Sequence, residues 1–280
     1  MDPIIFPLII VLLILGVIVG LPASMCGLGG GFILVPTLIL VFNVEPQNAV
    51  AISLIAMCGT TISASIGYFR QRRVDFKLAI LYDVFDLPGV VIGAYLTILL
   101  PKNLLIGICG LFVLSLSLLM LRDLVNNRYS TDGEKSGTVC DSGWERKLND
   151  SSNKVFNYRI RRPGLIALSS FAGGLITGLA GLGGGITDTT TMILLGVPSH
   201  IAVASSEVAM ALTNGGGVIA HGLFHSIPLD YAIPITIGTI IGAQIGVHLA
   251  KKTEQNMLKL ILAIVAFIFS LRMILEFLWP

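Results

Sequence analysis

The chain has 280 residues, of which 54% are hydrophobic and only 12% are charged, and its formal net charge is +2. Because soluble domains carry about 25% charged residues, this composition excludes an ordinary soluble protein and predicts a protein that lies in a lipid bilayer. The apolar runs are long and continuous, which indicates helices rather than strands, so we expect an all-α membrane protein. The small net charge gives no indication of a nucleic-acid partner.

Five apolar segments precede a polar stretch, and five more follow it. A helix needs about 20 residues to cross the hydrocarbon core, so the second segment of each set is too short to cross alone. Each short segment either enters the membrane and returns or pairs with a full span, and the sequence does not distinguish these alternatives. In chain order the segments cover residues 3–24, 30–42, 48–69, 78–100 and 103–121, then 163–180, 185–197, 200–221, 231–250 and 256–279.

A Gly-Leu-Gly-Gly-Gly motif occurs twice, at residues 27–31 and 181–185, and each copy is surrounded by apolar sequence. Glycine destabilises a helix by about 1 kcal/mol relative to alanine, so three in succession break it. A break at membrane depth frees backbone N–H and C=O groups, which is tolerated only where protein or a water-filled cavity satisfies them. A broken helix in both halves of a membrane chain indicates the binding site of a transporter.

The remainder of the chain repeats as well. The run from Ala49 to Ser53 aligns with that from Ala202 to Ser206 at an offset of 153 residues, and Gly89 aligns with Gly242. A period this long indicates two half-domains rather than a solenoid. We therefore divide the chain into a first transmembrane repeat (1–121), a flexible polar linker (122–162) and a second transmembrane repeat (163–280).

The distribution of Lys and Arg predicts how the halves are oriented. Four basic residues lie in the turn at 70–77 and nine in the linker at 122–162, whereas the equivalent turn of the second half, 222–228, has none. Basic loops face the cytoplasm, so we expect the first two regions to be cytoplasmic and both chain termini to be external. The halves then have opposite orientation, which makes them inverted-topology repeats of five helical segments each.

These residues resemble a known family. Gly-x-Gly-Gly-Gly followed by Pro36, then Ala-Val-x-x-Ser, then a basic turn with Val74-Asp75, with the whole pattern repeated, resembles the TauE/SafE family of sulfite-exporter-like transporters. The resemblance covers nearly the whole chain apart from the linker. It implies a multi-pass carrier of the cell membrane that moves small anions such as sulfite or organosulfonates. The chain departs from the family pattern at Ile52 and within residues 187–191, where the second proline is replaced.

The glycine motifs are the first candidates for substrate binding. A helix N-terminus carries about half a positive charge and free N–H donors, so two such termini could hold an anion; close helix packing is the alternative. We expect Gly30 and Gly184 to lie close together near the middle of the bilayer. Nearby hydroxyls and one amide could contact the same anion, or could bond their own helices. The candidates are Gly29, Gly30, Gly31, Ser53, Thr60, Thr61, Gly183, Gly184, Gly185, Thr187, Ser205, Ser206 and Asn214.

Ionisable side chains inside the apolar segments are the candidates for proton coupling, because each costs about 2.5–3.5 kcal/mol at the bilayer centre. Asp188 follows the second glycine motif, where it either takes part in coupling or caps a helix. Glu207, Asn214 and His221 are spaced by seven residues and so lie near one helical face. They form either a proton path carried by Glu207 and His221 or a set of inter-helix hydrogen bonds.

Asp83 and Asp86 lie three residues apart on one face of the fourth segment. They are either functional, like the other ionisable groups inside the apolar segments, or paired with the basic turn that they follow closely. We expect the pairing, with Arg70, Arg72 or Arg73.

No pattern in the chain predicts an enzyme. Gly-x-Ser-x-Gly, His-Glu-x-x-His and Walker motifs are absent, and no two of the four cysteines form Cys-x-x-Cys. We therefore expect no catalytic residue, no metal and no cofactor. The sequence predicts a secondary transporter of a small anion and leaves proton-coupled export and a homodimer open. An intramembrane enzyme and an anion channel are the alternatives.

Overall fold

The computed structural model describes residues 5–128, 143–149, 155–161, 164–224, 227–250 and 255–279. These residues form ten helices and one β-hairpin, which confirms the prediction of an all-α membrane protein. In chain order the elements are α1 (Ile5–Cys26), α2 (Gly31–Leu40), α3 (Pro46–Arg70), α4 (Phe76–Leu99), α5 (Lys102–Arg128), β1 (Gly143–Asn149), β2 (Val155–Arg161), α6 (Gly164–Ala180), α7 (Gly185–Leu194), α8 (Ser199–Phe224), α9 (Leu229–Leu249) and α10 (Gln255–Leu278).

Six of these helices, α1, α3, α4, α5, α9 and α10, are long and apolar enough to cross a membrane. In contrast, α2 and α7 have 10 residues each. Ten residues of helix measure about 15 Å, which is half the thickness of the hydrocarbon core. Both short helices therefore reach only part of the way across, as their lengths in the sequence predict.

The helices pack in pairs that correspond between the two halves. Helix α1 lies along α9, and α6, the counterpart of α1, lies along α4, the counterpart of α9. Helix α3 packs against its own counterpart α8, and α5 packs against its counterpart α10. Exchanging the first five helices with the last five therefore leaves these packed pairs unchanged, as a duplicated chain predicts.

Glycines bring the backbones of α1 and α9 into contact. A Cβ atom at Gly16 would lie 2.3 Å from the carbonyl oxygen of Ile235, and one at Gly20 would lie 2.5 Å from that of Thr239. The residue numbers of the contacting positions in α1 and α9 increase together, so the two helices run parallel. Small residues that allow such close approach are the usual means by which membrane helices associate.

The same arrangement holds α4 and α6 together, because a Cβ atom at Gly89 would lie 2.5 Å from the carbonyl oxygen of Phe171. Helices α3 and α8 instead run antiparallel. A Cβ at Gly217 of α8 would lie 3.3 Å from the Leu54 side chain near the start of α3, whereas Ala64 near the end of α3 packs in one cluster with Val203 near the start of α8. Helix α3 runs parallel to α9, because Gly59 faces Thr236 and Gly67 faces Val247, and α8 runs parallel to α4. These directions place α1, α3 and α9 in one orientation and α4, α6 and α8 in the other.

An antiparallel hairpin of β1 and β2 lies within the predicted polar linker. The predicted linker thus contains two strands, which the sequence analysis did not predict; residues 129–142, 150–154 and 162 of the predicted linker lie outside the described residues. Side chains alternate between the faces of a strand, and Tyr158 and Ile160 of β2 form an apolar face that packs against α4, α6, α7 and α8. The hairpin covers the end of the bundle that carries Arg70, Arg72 and Arg73, which we call the basic end.

The glycine contacts predict a stability difference. A Cβ atom at Gly242 would lie 2.5 Å from the carbonyl oxygen of Val17, whereas one at Gly215 would meet nothing within 4 Å. We expect Gly242→Ala to destabilise the protein by about 1–3 kcal/mol through overpacking. We expect Gly215→Ala to be neutral or stabilising by up to about 1 kcal/mol, since alanine favours a helix. Equal melting temperatures of the two purified variants would contradict this packing.

Candidate functional site

The two glycine motifs meet inside the bundle and pack backbone to backbone. A Cβ atom at Gly31 would lie 2.1 Å from the carbonyl oxygen of Gly181, and one at Gly185 would lie 2.5 Å from that of Gly27. The two contacts are equivalent under exchange of the motifs. We call this contact between residues 27–31 and 181–185 the glycine crossing.

The crossing lies level with the middle of the long helices. The sulfur atoms of Met57 and Met210 lie 3.3 and 3.4 Å from the position of a Cβ at Gly29. Met57 is near the midpoint of α3 (Pro46–Arg70), and Met210 is near the midpoint of α8 (Ser199–Phe224). Helices α2 and α7 therefore begin at mid-depth of the bundle.

The backbone of the crossing requires glycine. Gly27 and Gly29 have φ angles of 71° and 72°, and Gly181 and Gly183 have φ angles of 62° and 80°. These values fall in the left-handed region, which side-chain-bearing residues rarely adopt. Each motif therefore forms a turn between a long helix and a short one.

The two motifs lie close together, as the sequence predicts. Gly30 and Gly184 themselves, however, face different helices. A Cβ at Gly30 would face Val19 and Ala23 of α1, at 2.9 and 3.0 Å. A Cβ at Gly184 would face Thr177 of α6 and Asp188 of α7. Each residue is thus turned toward the helix that precedes it in its own half.

Two hydroxyl groups satisfy the carbonyl groups that the breaks set free. Ser53 Oγ donates to the carbonyl oxygen of Gly181 at 2.7 Å. Thr189 Oγ1 donates to the carbonyl oxygen of Gly27 at 3.4 Å and lies 2.7 Å from Ser206 Oγ. Ser53 and Ser206 thus occupy equivalent places on either side of the crossing.

The other hydroxyl candidates lie in different surroundings. Thr60 and Thr61 donate to carbonyl oxygens of their own helix, at 2.9 and 2.8 Å. Thr187 donates to the carbonyl oxygen of Gly184 at 2.6 Å, within the first turn of α7. Ser205 accepts a hydrogen bond from the backbone N–H of Asp75 at 2.9 Å, so it belongs to the basic end of the bundle.

The three side chains that the sequence places near one face of α8, Glu207, Asn214 and His221, are all buried. Glu207 and Asn214 are both 0% exposed, and their side-chain oxygen and nitrogen atoms have no hydrogen-bond partner among the described residues. His221 Nε2 lies 2.9 Å from the carbonyl oxygen of Gly178 in α6. The three side chains do not form a continuous chain of hydrogen bonds within the described residues.

Asp83 and Asp86 do not make the predicted pairs with the basic turn. Thr213 Oγ1 donates to Asp83 Oδ1 at 2.8 Å, and Ser170 Oγ donates to Asp86 Oδ1 at 2.8 Å. The parallel packing of α4 with α6 and α8 directs these carboxyl groups into the bundle. Asp188 is the electrostatic neighbour of both.

The basic end carries an ion pair that the sequence did not predict. The Arg146 guanidinium forms a two-pronged contact with Asp75, and Tyr158 Oη donates to Asp75 Oδ2 at 2.6 Å. Burial raises the pKa of Asp75, but the hydrogen bonds from Arg146 and Tyr158 outweigh burial and hold the pKa below its ordinary value. Asp75 also caps α4 by accepting from the backbone N–H groups of Lys77 and Leu78.

The chain matches a known family along most of its length. A family model described as Sulfite exporter TauE/SafE matches residues 12–273. The probable membrane transporter protein YunE of Bacillus subtilis is 29% identical over 276 residues, which are 95% of this chain and 97% of the relative. The probable membrane transporter protein YdhB of the same organism is 24% identical over 259 residues, 90% of this chain and 93% of the relative.

A plant relative carries the family description in its name. Sulfite exporter TauE/SafE family protein 3 of Arabidopsis thaliana is 30% identical over 79 residues, which are 28% of this chain and 17% of the relative. No solved structure gives a significant match.

The fold and these matches define a multi-pass helical membrane transporter rather than an enzyme. The chain belongs to the sulfite exporter TauE/SafE family. The resemblance inferred from the paired glycine motifs is thereby confirmed.

The contacts of Asp75 predict how the hairpin is held. Asn caps a helix about as well as Asp, so Asp75→Asn should keep the start of α4 and lose the charge that binds Arg146. We expect faster hydrogen–deuterium exchange in residues 143–149 and 155–161 of this variant. The matched control is Glu45→Gln, which removes the exposed Glu45–Lys102 pair at the other end of the bundle. Equal exchange of the strands in the two variants would show that packing alone holds the hairpin.

The same pair predicts a pH dependence. A carboxyl group whose pKa is lowered by folding stabilises the folded contact above its ordinary pKa of about 3.9, and loses that effect as the pH falls through its lower folded value. Hairpin protection, corrected for intrinsic exchange, should therefore stay constant from about pH 8 to about pH 5 and fall only below about pH 4. A loss of protection already near pH 6 would contradict this assignment.

Proposed function

We propose that this transporter carries a small anion of the sulfite, organosulfonate or related oxyanion class, and that it exports the anion across the cell membrane by secondary transport. The observation that carries the proposal is the glycine crossing, where two short helices begin at mid-depth. Broken helices that meet at the bilayer midplane are the common binding-site architecture of secondary transporters. The family description, which names sulfite export, agrees with this substrate class.

The charge distribution supports an anion held by backbone groups. No Lys or Arg occurs in residues 1–69 or 163–250, which include both glycine motifs. Each short helix offers about half a positive charge and free N–H donors at its first turn. Two such termini suit a compact oxyanion, and they leave its affinity modest enough for release.

Access to these termini requires movement. The carbonyl oxygens of Gly181 and Gly27 face the first residues of α2 and α7, Gly31 and Gly185. The two motifs are thus in backbone contact, with no room for a side chain between them at these positions. We propose that the two motifs separate when the halves rock against each other, and that the anion enters as they part.

The packing directions support a two-fold relation between the halves. Helix α1 runs parallel to α9, α6 runs parallel to α4, and α3 runs antiparallel to its counterpart α8. We propose that the halves are inverted repeats, with the basic end in the cytoplasm and both chain termini external. A homodimer stays a prediction from the sequence.

Proton coupling is part of the proposal. Asp188, Glu207 and His221 are buried in helices of the second half. Buried ionisable groups in membrane helices are usually functional. A proton bound at these groups would change the charge near the anion as the bundle changes conformation.

The transport mode is tested by counterflow in proteoliposomes that contain the purified protein. A carrier loaded with unlabelled sulfite should transiently accumulate labelled sulfite from outside, and its uptake rate should saturate with concentration. An anion channel would show neither behaviour. Non-saturating flux without counterflow would therefore contradict the proposal of a carrier.

Gly184→Ala tests the anion site with little risk to the fold. Gly184 has a φ of −67°, which alanine adopts readily, and the nearest atom to an added Cβ would be Thr177 Oγ1 at 3.2 Å. A methyl group there would take up the space between Thr177, Asp188 and the first turn of α7, beside the helix terminus at which we place the anion. We expect the KM for the transported anion to rise about tenfold, equivalent to about 1.4 kcal/mol, with an unchanged melting temperature. Gly215→Ala is the matched control, and an identical KM in both variants would move the site away from the crossing.

A further inference from the structure

Polar side chains of α4 and α7 meet at α6: a Cβ atom at Gly173 would lie 3.3 Å from Asp188 Oδ1, and one at the neighbouring Gly174 would lie 2.8 Å from the Cα atom of Asp86. Tyr82, Asp83 and Asp86 of α4 and Asp188 of α7 are all buried, with exposed fractions of 0%, 5%, 0% and 0%. Ser170 of α6 and Thr213 of α8 close the group. We call the three carboxyl groups the aspartate cluster.

The hydroxyl groups of Ser170 and Thr213, which contact the aspartate cluster, each lie near two acceptor atoms. Ser170 Oγ lies within hydrogen-bonding distance of both the carbonyl oxygen of Tyr82 and Asp86 Oδ1. Thr213 Oγ1 lies 2.8 Å from Asp83 Oδ1 and 3.3 Å from Asp86 Oδ2. Each hydroxyl has one hydrogen to donate but can also accept. Carboxyl protons on Asp83 or Asp86 would supply the additional donors, so that each hydroxyl could donate one hydrogen bond and accept another.

Asp188 and Tyr82 point to the same conclusion independently. Neither oxygen of Asp188 makes a hydrogen bond of good geometry with the described residues, although Asp86 lies close enough to share a proton. Tyr82 Oη makes no hydrogen bond of good geometry, although Ser169 lies near enough for a weak one, and it is an electrostatic neighbour of Asp188. A fully buried carboxyl group without a partner of good geometry indicates a ligand that supplies hydrogen bonds.

The elements packed around the cluster carry few basic side chains, and Arg146 of the hairpin is paired with Asp75. Helix α6 contains no titratable side chain, and α8 contributes Glu207 and His221 besides His200 at its start. Helix α4 carries Lys77 in its first turn, and α7 carries no other charge than Asp188. Three carboxylates in one buried site cannot all be ionised. A proton shared between neighbouring carboxyl groups removes this repulsion and needs no further ligands.

We propose that Asp83, Asp86 and Asp188 form a shared proton-binding site that sets the affinity of the glycine crossing for its anion. This inference rests on the proposed function and adds Asp83 and Asp86 to the coupling residues. Asp188 provides the link, because its Oδ2 lies 3.4 Å from the position of a Cβ at Gly184, at the start of α7. An ionised Asp188 repels an anion at that helix terminus, and a protonated one does not. Proton and anion therefore bind with positive, reciprocal coupling.

The first experiment measures the protons without any anion. Infrared spectra of the full-length protein in nanodiscs, recorded from about pH 5 to about pH 9, should contain a carboxylic-acid C=O band that persists at neutral pH and disappears as the pH rises. Difference spectra should assign part of this band to Asp86 and Asp188 by its loss in Asp86→Asn and Asp188→Asn. Asp230→Asn, at an exposed position at the start of α9, is the control and should leave the band unchanged. Glu207→Gln should remove a separate contribution.

The second experiment measures the coupling. Methanesulfonate, whose charge does not change in this range, should compete with labelled sulfite more strongly as the pH falls, by up to about tenfold per pH unit for one linked proton. Asp188→Asn should bind it with an affinity that does not depend on pH.

Each outcome bears on the inference or on the proposed function separately. A spectrum in which none of the three aspartates contributes an acid band would overturn the proton site, even if transport is normal. A band that is lost on adding sodium chloride at constant pH would also overturn it, in favour of a sodium site. The expected band in a protein that transports no anion would support the proton site and contradict the proposed function. Pronounced pH dependence in Asp188→Asn would overturn the link through Asp188.

Discussion

The structure depends on satisfying the backbone groups that two glycine breaks expose in the middle of a membrane bundle. Lipid offers no hydrogen bonds, so broken helices are stable at this depth only against other protein groups or water. Here each break is paired with the other. The carbonyl oxygen of Gly181 accepts from Ser53 and packs against the start of α2, and the carbonyl oxygen of Gly27 accepts from Thr189 and packs against the start of α7. Neither half of the chain could bury its own break alone, which ties the two halves into one bundle.

The two halves are similar in packing but different in chemistry. The position equivalent to Asp188 in the first half is Leu34, which is fully buried. The positions equivalent to Asp83 and Asp86 in α9 are Thr236 and Thr239. Ionisable side chains therefore lie around α7, whereas α2 begins among apolar side chains. The ionisable groups of this site therefore come from both halves, Asp83 and Asp86 from α4 and Asp188 from α7.

The sequence predicted the larger features of the fold because they rest on strong local rules. Apolar run lengths located the helices, and the repeated glycine motifs located the breaks at 27–31 and 181–185. The aspartate cluster was missed because proximity in the sequence favoured pairing of Asp83 and Asp86 with the basic turn. Their real partners, Ser170 and Thr213, depend on how α4 packs against α6 and α8, which no local rule specifies. The spacing of the two aspartates on one face was the available signal.

The hairpin was missed for a related reason. The stretch between the halves is polar on average, and average polarity predicts a linker. The alternation that places Tyr158 and Ile160 on one face is only a few residues long, so it stands out only when the apolar surface it covers, around Tyr82 and Met192, is known. Arg146 likewise acquires a role only once Asp75 is placed opposite it.

The central claim is that the anion binds where the two glycine motifs meet. The most direct measurement is an experimental structure with a bromine-substituted alkanesulfonate, located by anomalous scattering from the bromine. We expect a bromine peak beside the first turns of α2 and α7, with the sulfonate oxygens within hydrogen-bonding distance of amide groups in residues 29–32 or 183–186. A peak at the basic end, at the lipid-facing surface or elsewhere in the bundle, with the glycine crossing still closed, would contradict it.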